Sequence, residues 1–122
     1  MKIRSAKNKG KRLQNWVRDS LLSLFPTLQK DDIKSTTMGD RGEDVQLSPA
    51  ARRLFPFAVE CKNREADAGV WKAWEQCGIH ATTAGANIEP ALIFKKNGKE
   101  PLAIIDAKLF LAMAAKIGNL TK

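Results

Sequence analysis

Leu13, Trp16, Val17, Leu21 and Leu24 recur at intervals of three and four. That spacing predicts a helix over about residues 10–24 with one buried face, ended by Pro26. Asp31 to Thr36 suits a first edge strand, and the two glycines of Thr36-Thr-Met-Gly-Asp-Arg-Gly42 mark a loop. Glu43 to Leu47 is a second strand. Ser48-Pro49 reads as a cap followed by proline at the first helical position, so 49–54 is one helical turn. Phe57 to Lys62 is a central strand. Ala66 to Gln76 is a helix with apolar positions Val70, Trp71, Trp74 and Cys77 and with Gly78 as its stop. Ala91 to Lys95 and Leu102 to Ile105 are strands joined around Asn97-Gly98, a pair suited to positive φ. Asp106 caps a last helix, buried through Leu109, Phe110, Met113 and Ile117, with Gly118 beyond it. The order αβββαββα predicts an α/β fold, a mixed central β-sheet flanked by α-helices.

With 122 residues, 43% of them hydrophobic, the chain is expected to form one domain with a real core. No apolar run approaches 18 residues and no signal peptide is seen, so a soluble, cytoplasmic protein with no membrane partner is expected. Cys61 and Cys77 form no CxxC pattern and read as buried free thiols.

The net charge is +8, and its placement matters more than its size. Lys2, Arg4, Lys7, Lys9, Lys11, Arg12 and Arg18 fall within the first 18 residues, which hold no acid; residues 19–122 are nearly balanced. Residues 1–9 therefore read as a basic arm ahead of a domain over 10–122. A phosphate backbone is its natural counterpart, and such binding weakens steeply with salt.

The chemistry sits in Phe55-Pro-Phe-Ala-Val-Glu-Cys-Lys-Asn63. Alternation along a strand puts Phe57, Val59 and Cys61 on one face and Ala58, Glu60 and Lys62 on the other. Glu60 and Lys62 are then roughly 6.5 Å apart along the strand. Charges on an apolar strand are costly unless paired or bound to metal. A cross-strand ion pair on a solvated face is the plainer reading of Glu60 and Lys62, and the apolar residues before them argue against it. With Asp44 upstream, the set is what a metal-dependent phosphodiesterase needs: two carboxylates for Mg²⁺ and a lysine for water or phosphate.

Gly42-Glu-Asp44 followed by Val59-Glu60-Cys61-Lys62 resembles the PD-(D/E)XK nuclease superfamily, with its restriction-endonuclease-like fold. Asp44 matches the motif aspartate and Glu60-x-Lys62 the (D/E)-x-K element. The wider string from Ser35-Thr-Thr-Met-Gly39 to Asn63 is similar to small phage-encoded Holliday junction resolvases. The resemblance implies a Mg²⁺-dependent DNA endonuclease, with Mn²⁺ able to substitute, acting on branched DNA in the host cytoplasm. It implies Asp44, Glu60 and the Cys61 backbone carbonyl as metal ligands. Lys62 would orient the attacking hydroxide or steady the phosphate charge. Nucleases for nicks, flaps or ends remain alternatives, as does a binding module of the same fold that does not cut.

Relatives of the resolvase type carry a glutamate on the first helix, and the comparable place here is Gln14. One well-held metal is therefore expected. Glu43 neighbours Asp44 but alternates to the other face, which makes it a second choice. Gln76 lies where some members place a site-facing glutamine, and is as readily solvated. Lys7, Lys9, Lys11, Arg12, Arg52, Arg53, Asn63 and Arg64 are candidate DNA contacts, each alone a common surface residue. His80, the only histidine, reads as a helix-end loop residue, and Trp71 and Trp74 as core. Symmetric cutting of two strands would be simplest with a two-fold homodimer.

Overall fold

The computed structural model describes residues 3–36, 42–64 and 69–120, with side chains from Asn8 onward. Helix α1 spans Ile3–Leu24, and its Leu13, Val17 and Leu21 form the buried stripe. The helix begins well before residue 10, so the basic residues from Arg4 on are carried on it rather than on a separate arm. Trp16 and Leu24, expected in the stripe, are exposed. At 3.6 residues per turn, Trp16 lies a full 100° of arc from Val17, beside the buried stripe rather than in it.

After a 3₁₀ turn at Lys30–Asp32 comes β1 (Ile33–Ser35), shorter than the strand expected from Asp31. β2 (Val45–Leu47), α2 (Pro49–Leu54) and β3 (Phe57–Asn63) follow. Helix α2 starts as the sequence predicts: Ser48 Oγ accepts from the Ala51 N–H at 3.1 Å, and proline opens the first turn. Helix α3 (Val70–Ala84) crosses over to β4 (Glu89–Lys95), which turns back into β5 (Leu102–Ile104) and then α4 (Ala107–Leu120). The β4–β5 turn closes through Lys99 N–H to the Lys96 carbonyl at 3.1 Å, with Gly98 at φ 72°. Glycine takes that φ without the Cβ clash other residues meet.

Strand order in the five-stranded sheet follows chain order, β1 to β5. Only β3 and β4 run parallel, because only they are joined by a helical crossover long enough to return the chain to the same end. The fold is thus α/β, a mixed sheet flanked by helices. On one face, Leu13, Val17 and Leu21 of α1 pack on Ile33, Val45, Val59, Cys61 and Ala91. The other face carries α3.

Two helices depart from expectation. α3 does not stop at Gly78; it runs to Ala84, and Gly85 ends it. Its buried residues are Ala73, Cys77 and Ala81, while Trp71 is 76% exposed and Trp74 is half-buried. Small side chains let the helix approach the sheet closely, and the large aromatics are displaced to its flank. The expected start at Ala66 lies outside the described residues. α4 starts where predicted, with Asp106 Oδ1 accepting from the Leu109 N–H at 3.0 Å, but it runs through Gly118 to Leu120 instead of ending before that glycine. It is not buried, however: Phe110, Met113 and Ile117 are all exposed.

Candidate active site

β2 and β3 touch at a single register pair, Val45 opposite Val59. Beyond it the strands part, and Asp44 fills the gap. Its own N–H donates to the Val59 carbonyl at 3.0 Å, its carbonyl accepts from Thr36 N–H at 2.9 Å, and its Oδ2 accepts from the Cys61 N–H at 2.7 Å. The carboxylate thus substitutes for the missing β2 partner of Cys61. In an antiparallel pair, a residue's N–H and C=O point to the same side. The Cys61 carbonyl is therefore directed into the same opening as Asp44.

Glu60 and Lys62 lie on the α3 side of β3, as alternation requires. Glu60 is 5% exposed. Its Oε2 lies 3.0 Å from His80 Nδ1, and its Oε1 lies 3.8 Å from Lys62 Nζ. The first is a hydrogen bond; the second is an electrostatic contact only. His80 reaches Glu60 because α3 continues past Gly78, one turn beyond the buried Cys77. It is therefore a helical residue of the site, not a loop residue. The available signal was the spacing Ala73, Cys77, Ala81, which extends the buried stripe beyond Gly78 and carries His80 with it.

Both carboxylates hold protons more tightly than usual. Burial raises Asp44, against the Cys61 N–H and the charges of Lys62 and His80. Burial also raises Glu60, helped by the negative charge of Asp44 and opposed by the His80 hydrogen bond and Lys62. For both groups the cost of burying a charge outweighs the hydrogen bonds and cations that favour the ionised form. Burial, then the nearby carboxylates, pushes the Cys61 thiol far up, and burial takes Cys77 to about 11. Both favour the protonated thiol at neutral pH, which makes neither a ready nucleophile.

Two carboxylates and a backbone carbonyl are hard oxygen donors, the set that suits Mg²⁺ or Mn²⁺. Among the described residues no group of three or more His, Cys, Asp and Glu side chains is arranged to hold a metal.

The other expected residues separate into distinct places. Glu43 is taken by Arg52, whose Nη1 and Nη2 donate to its two oxygens at 2.7 and 2.6 Å; Nη1 also donates to the Phe57 carbonyl at 2.7 Å. Arg52, expected at phosphate, is a structural clamp, and Glu43 is not at the metal position. Gln14 lies on α1, which packs on the sheet face opposite Glu60 and Lys62; its Oε1 is buried with no hydrogen-bond partner among the described residues. Gln76 and Arg53 are exposed, as is Arg64. Lys11 Nζ donates to the Thr36 carbonyl at 3.1 Å. The side chain of Lys7 lies outside the described residues.

Lys9, Arg12 and Asn63 do converge. With Leu13, Trp16, Lys95 and the β4–β5 turn they line an open cleft of about 400 Å³ beside the C-terminal end of β3. Trp16, 51% exposed, is part of this cleft.

Comparison with known proteins brings no relative: no family model matches the chain, no curated protein matches it, and no solved structure matches its fold.

Proposed function

We propose that the chain is a metal-dependent DNA endonuclease with a restriction-endonuclease-like fold, acting on branched DNA of the Holliday junction type. The observation that carries this reading is the convergence of Asp44, Glu60 and Lys62 at the β2–β3 opening, with both carboxylates buried and their proton affinity raised by that burial. A protein that only needed stability would place apolar residues there. A divalent cation would offset that charge.

Asp44, Glu60 and the Cys61 carbonyl would hold the ion. The chemistry such an ion supplies is Lewis-acid polarisation of a phosphoryl oxygen and of water. Asp44 is fixed in place by the Cys61 N–H, and Glu60 by His80, so neither carboxylate needs to reorganise when substrate arrives. Lys62 Nζ is too far from Glu60 for a hydrogen bond and keeps its donors for the attacking water or the charge growing on phosphate. His80 is a positioning residue: it orients Glu60. The cleft of Lys9, Arg12 and Asn63 takes the adjoining backbone, and Trp16 offers a face on which an unpaired base can stack.

The test is Mg²⁺- and Mn²⁺-dependent cleavage of labelled junction, flap, nicked, linear and single-stranded DNA. The expected result is cutting of junction DNA, abolished in Glu60→Ala with DNA binding retained. Full activity in Glu60→Ala, or no cutting of any substrate, overturns the assignment.

A further inference from the structure

α4 is built like a core helix but has no core. At 100° per residue, Leu109, Phe110, Met113, Ile117 and Leu120 fall within about 100° of arc, the width of a stripe that packs onto a sheet or bundle and wider than a coiled-coil seam. Yet among the described residues α4 makes no substantial packing contact with any other element. Four of these five side chains are exposed, Leu120 the most at 85%.

The same chain carries an unfilled apolar groove. The register pairs Glu60 with Leu92, Lys62 with Phe94, Phe94 with Leu102, and Leu92 with Ile104, which puts all of them on the α3 face of the sheet. α3 covers β3 and β4 on that face, whereas Leu102 on β5 is left 66% exposed. Val70, Phe94, Leu102 and Ile104, rimmed by Lys96, Lys99 and Glu100, line a groove of about 570 Å³. No residue of α4 contributes to it. The sheet lacks one helix on this face, and the helix lacks one sheet. Only Ile105 and Asp106 link β5 to α4, and so short a hinge favours exchange of a terminal element between copies.

We infer that α4 docks in the β4–β5 groove of a second copy of this chain, and that copy's α4 in the groove of the first, giving a two-fold dimer. The occupant is a second copy because the missing helix has the stripe width, apolar character and position in the chain that α4 has. Each large apolar side chain buried removes on the order of 100 Å² of surface, so two such contacts bury on the order of 1,000–1,400 Å², at the threshold of specific interfaces.

The experiment is light scattering with sedimentation on the full chain without DNA or metal, so it stands apart from the nuclease reading. Wild type is expected at twice the 13.5 kDa of one chain at micromolar concentration. Ile117→Lys in the helix and Leu102→Glu in the groove are each expected to halve the mass while leaving the circular dichroism spectrum intact, since both side chains are exposed. A monomeric wild type overturns the inference, including one whose α4 is protected from hydrogen exchange by folding onto its own groove. A dimer that survives Leu102→Glu also overturns it, since α4 would then be pairing elsewhere.

Discussion

Arg52→Ala distinguishes a structural arginine from a DNA-binding one. The Arg52 guanidinium is bidentate on Glu43 and also donates to the Phe57 carbonyl, tying the segment before β2 to the start of β3. The side chains are 19% and 14% exposed, so water screens the pair only partly. Each hydrogen bond to a charged partner is worth about 1.5–3 kcal/mol net, and breaking a fully buried pair costs about 3–5 kcal/mol because the survivor is stranded. The three bonds share one group and do not add, and residual exposure trims the penalty, which leaves about 3 kcal/mol. For a domain of this size that lowers Tm by about 10 °C. Urea unfolding gives the free energy, and a cycle with Glu43→Gln isolates the coupling. Arg52→Lys, which keeps charge but loses the fork, falls between. DNA affinity at temperatures where the variant is folded should be unchanged. Wild-type stability with weakened, less salt-dependent DNA binding would refute the structural assignment.

Asp44→Ala, Glu60→Ala and Lys62→Ala should each abolish metal-dependent cleavage, and the double variants should be no worse than the singles, since the residues act as a unit. His80→Ala should lower cleavage less than Glu60→Ala, and His80→Gln should recover part of the loss if the role is to orient Glu60; full activity of His80→Ala would remove it from the site. Because folding raises both carboxylate pKa values, the metal-free protein holds more protons than its unfolded chain between the ordinary carboxylate range and the raised folded values. The contribution of these two groups to stability should be full below that window and be lost as pH rises through it. Denaturation across pH should show this slope flattened in Asp44→Asn and Glu60→Gln, and Mg²⁺ should offset it in wild type alone. Lys9→Ala and Arg12→Ala should each make log affinity against log salt shallower by about 0.9 on duplex arms, and unchanged slopes would exclude the cleft from the DNA path.

The readable parts of this protein were those decided by local rules. Two-residue alternation put Glu60 and Lys62 on one face and Val59 and Cys61 on the other, and the chain folds that way. Ser48 and Asp106 cap their helices because a side-chain oxygen three residues before an unpaired N–H needs no other context. What local rules could not supply was which partner each face meets. In the sequence Gly78 resembles a stop that leaves His80 in a loop, but glycine inside a helix is tolerated when packing favours continuation, as the burial of Ala73, Cys77 and Ala81 against the sheet does. Trp71 and Trp74 have the hydrophobicity of core residues, but close helix-to-sheet approach selects small side chains, and that distance exists only in three dimensions. The pairing of Arg52 with Glu43 spans nine residues and depends on where α2 lands. α4 marks the limit of the one-chain view: its periodicity requires burial, and its own fold leaves it uncovered, because a sequence states that a face must be buried without stating which chain buries it.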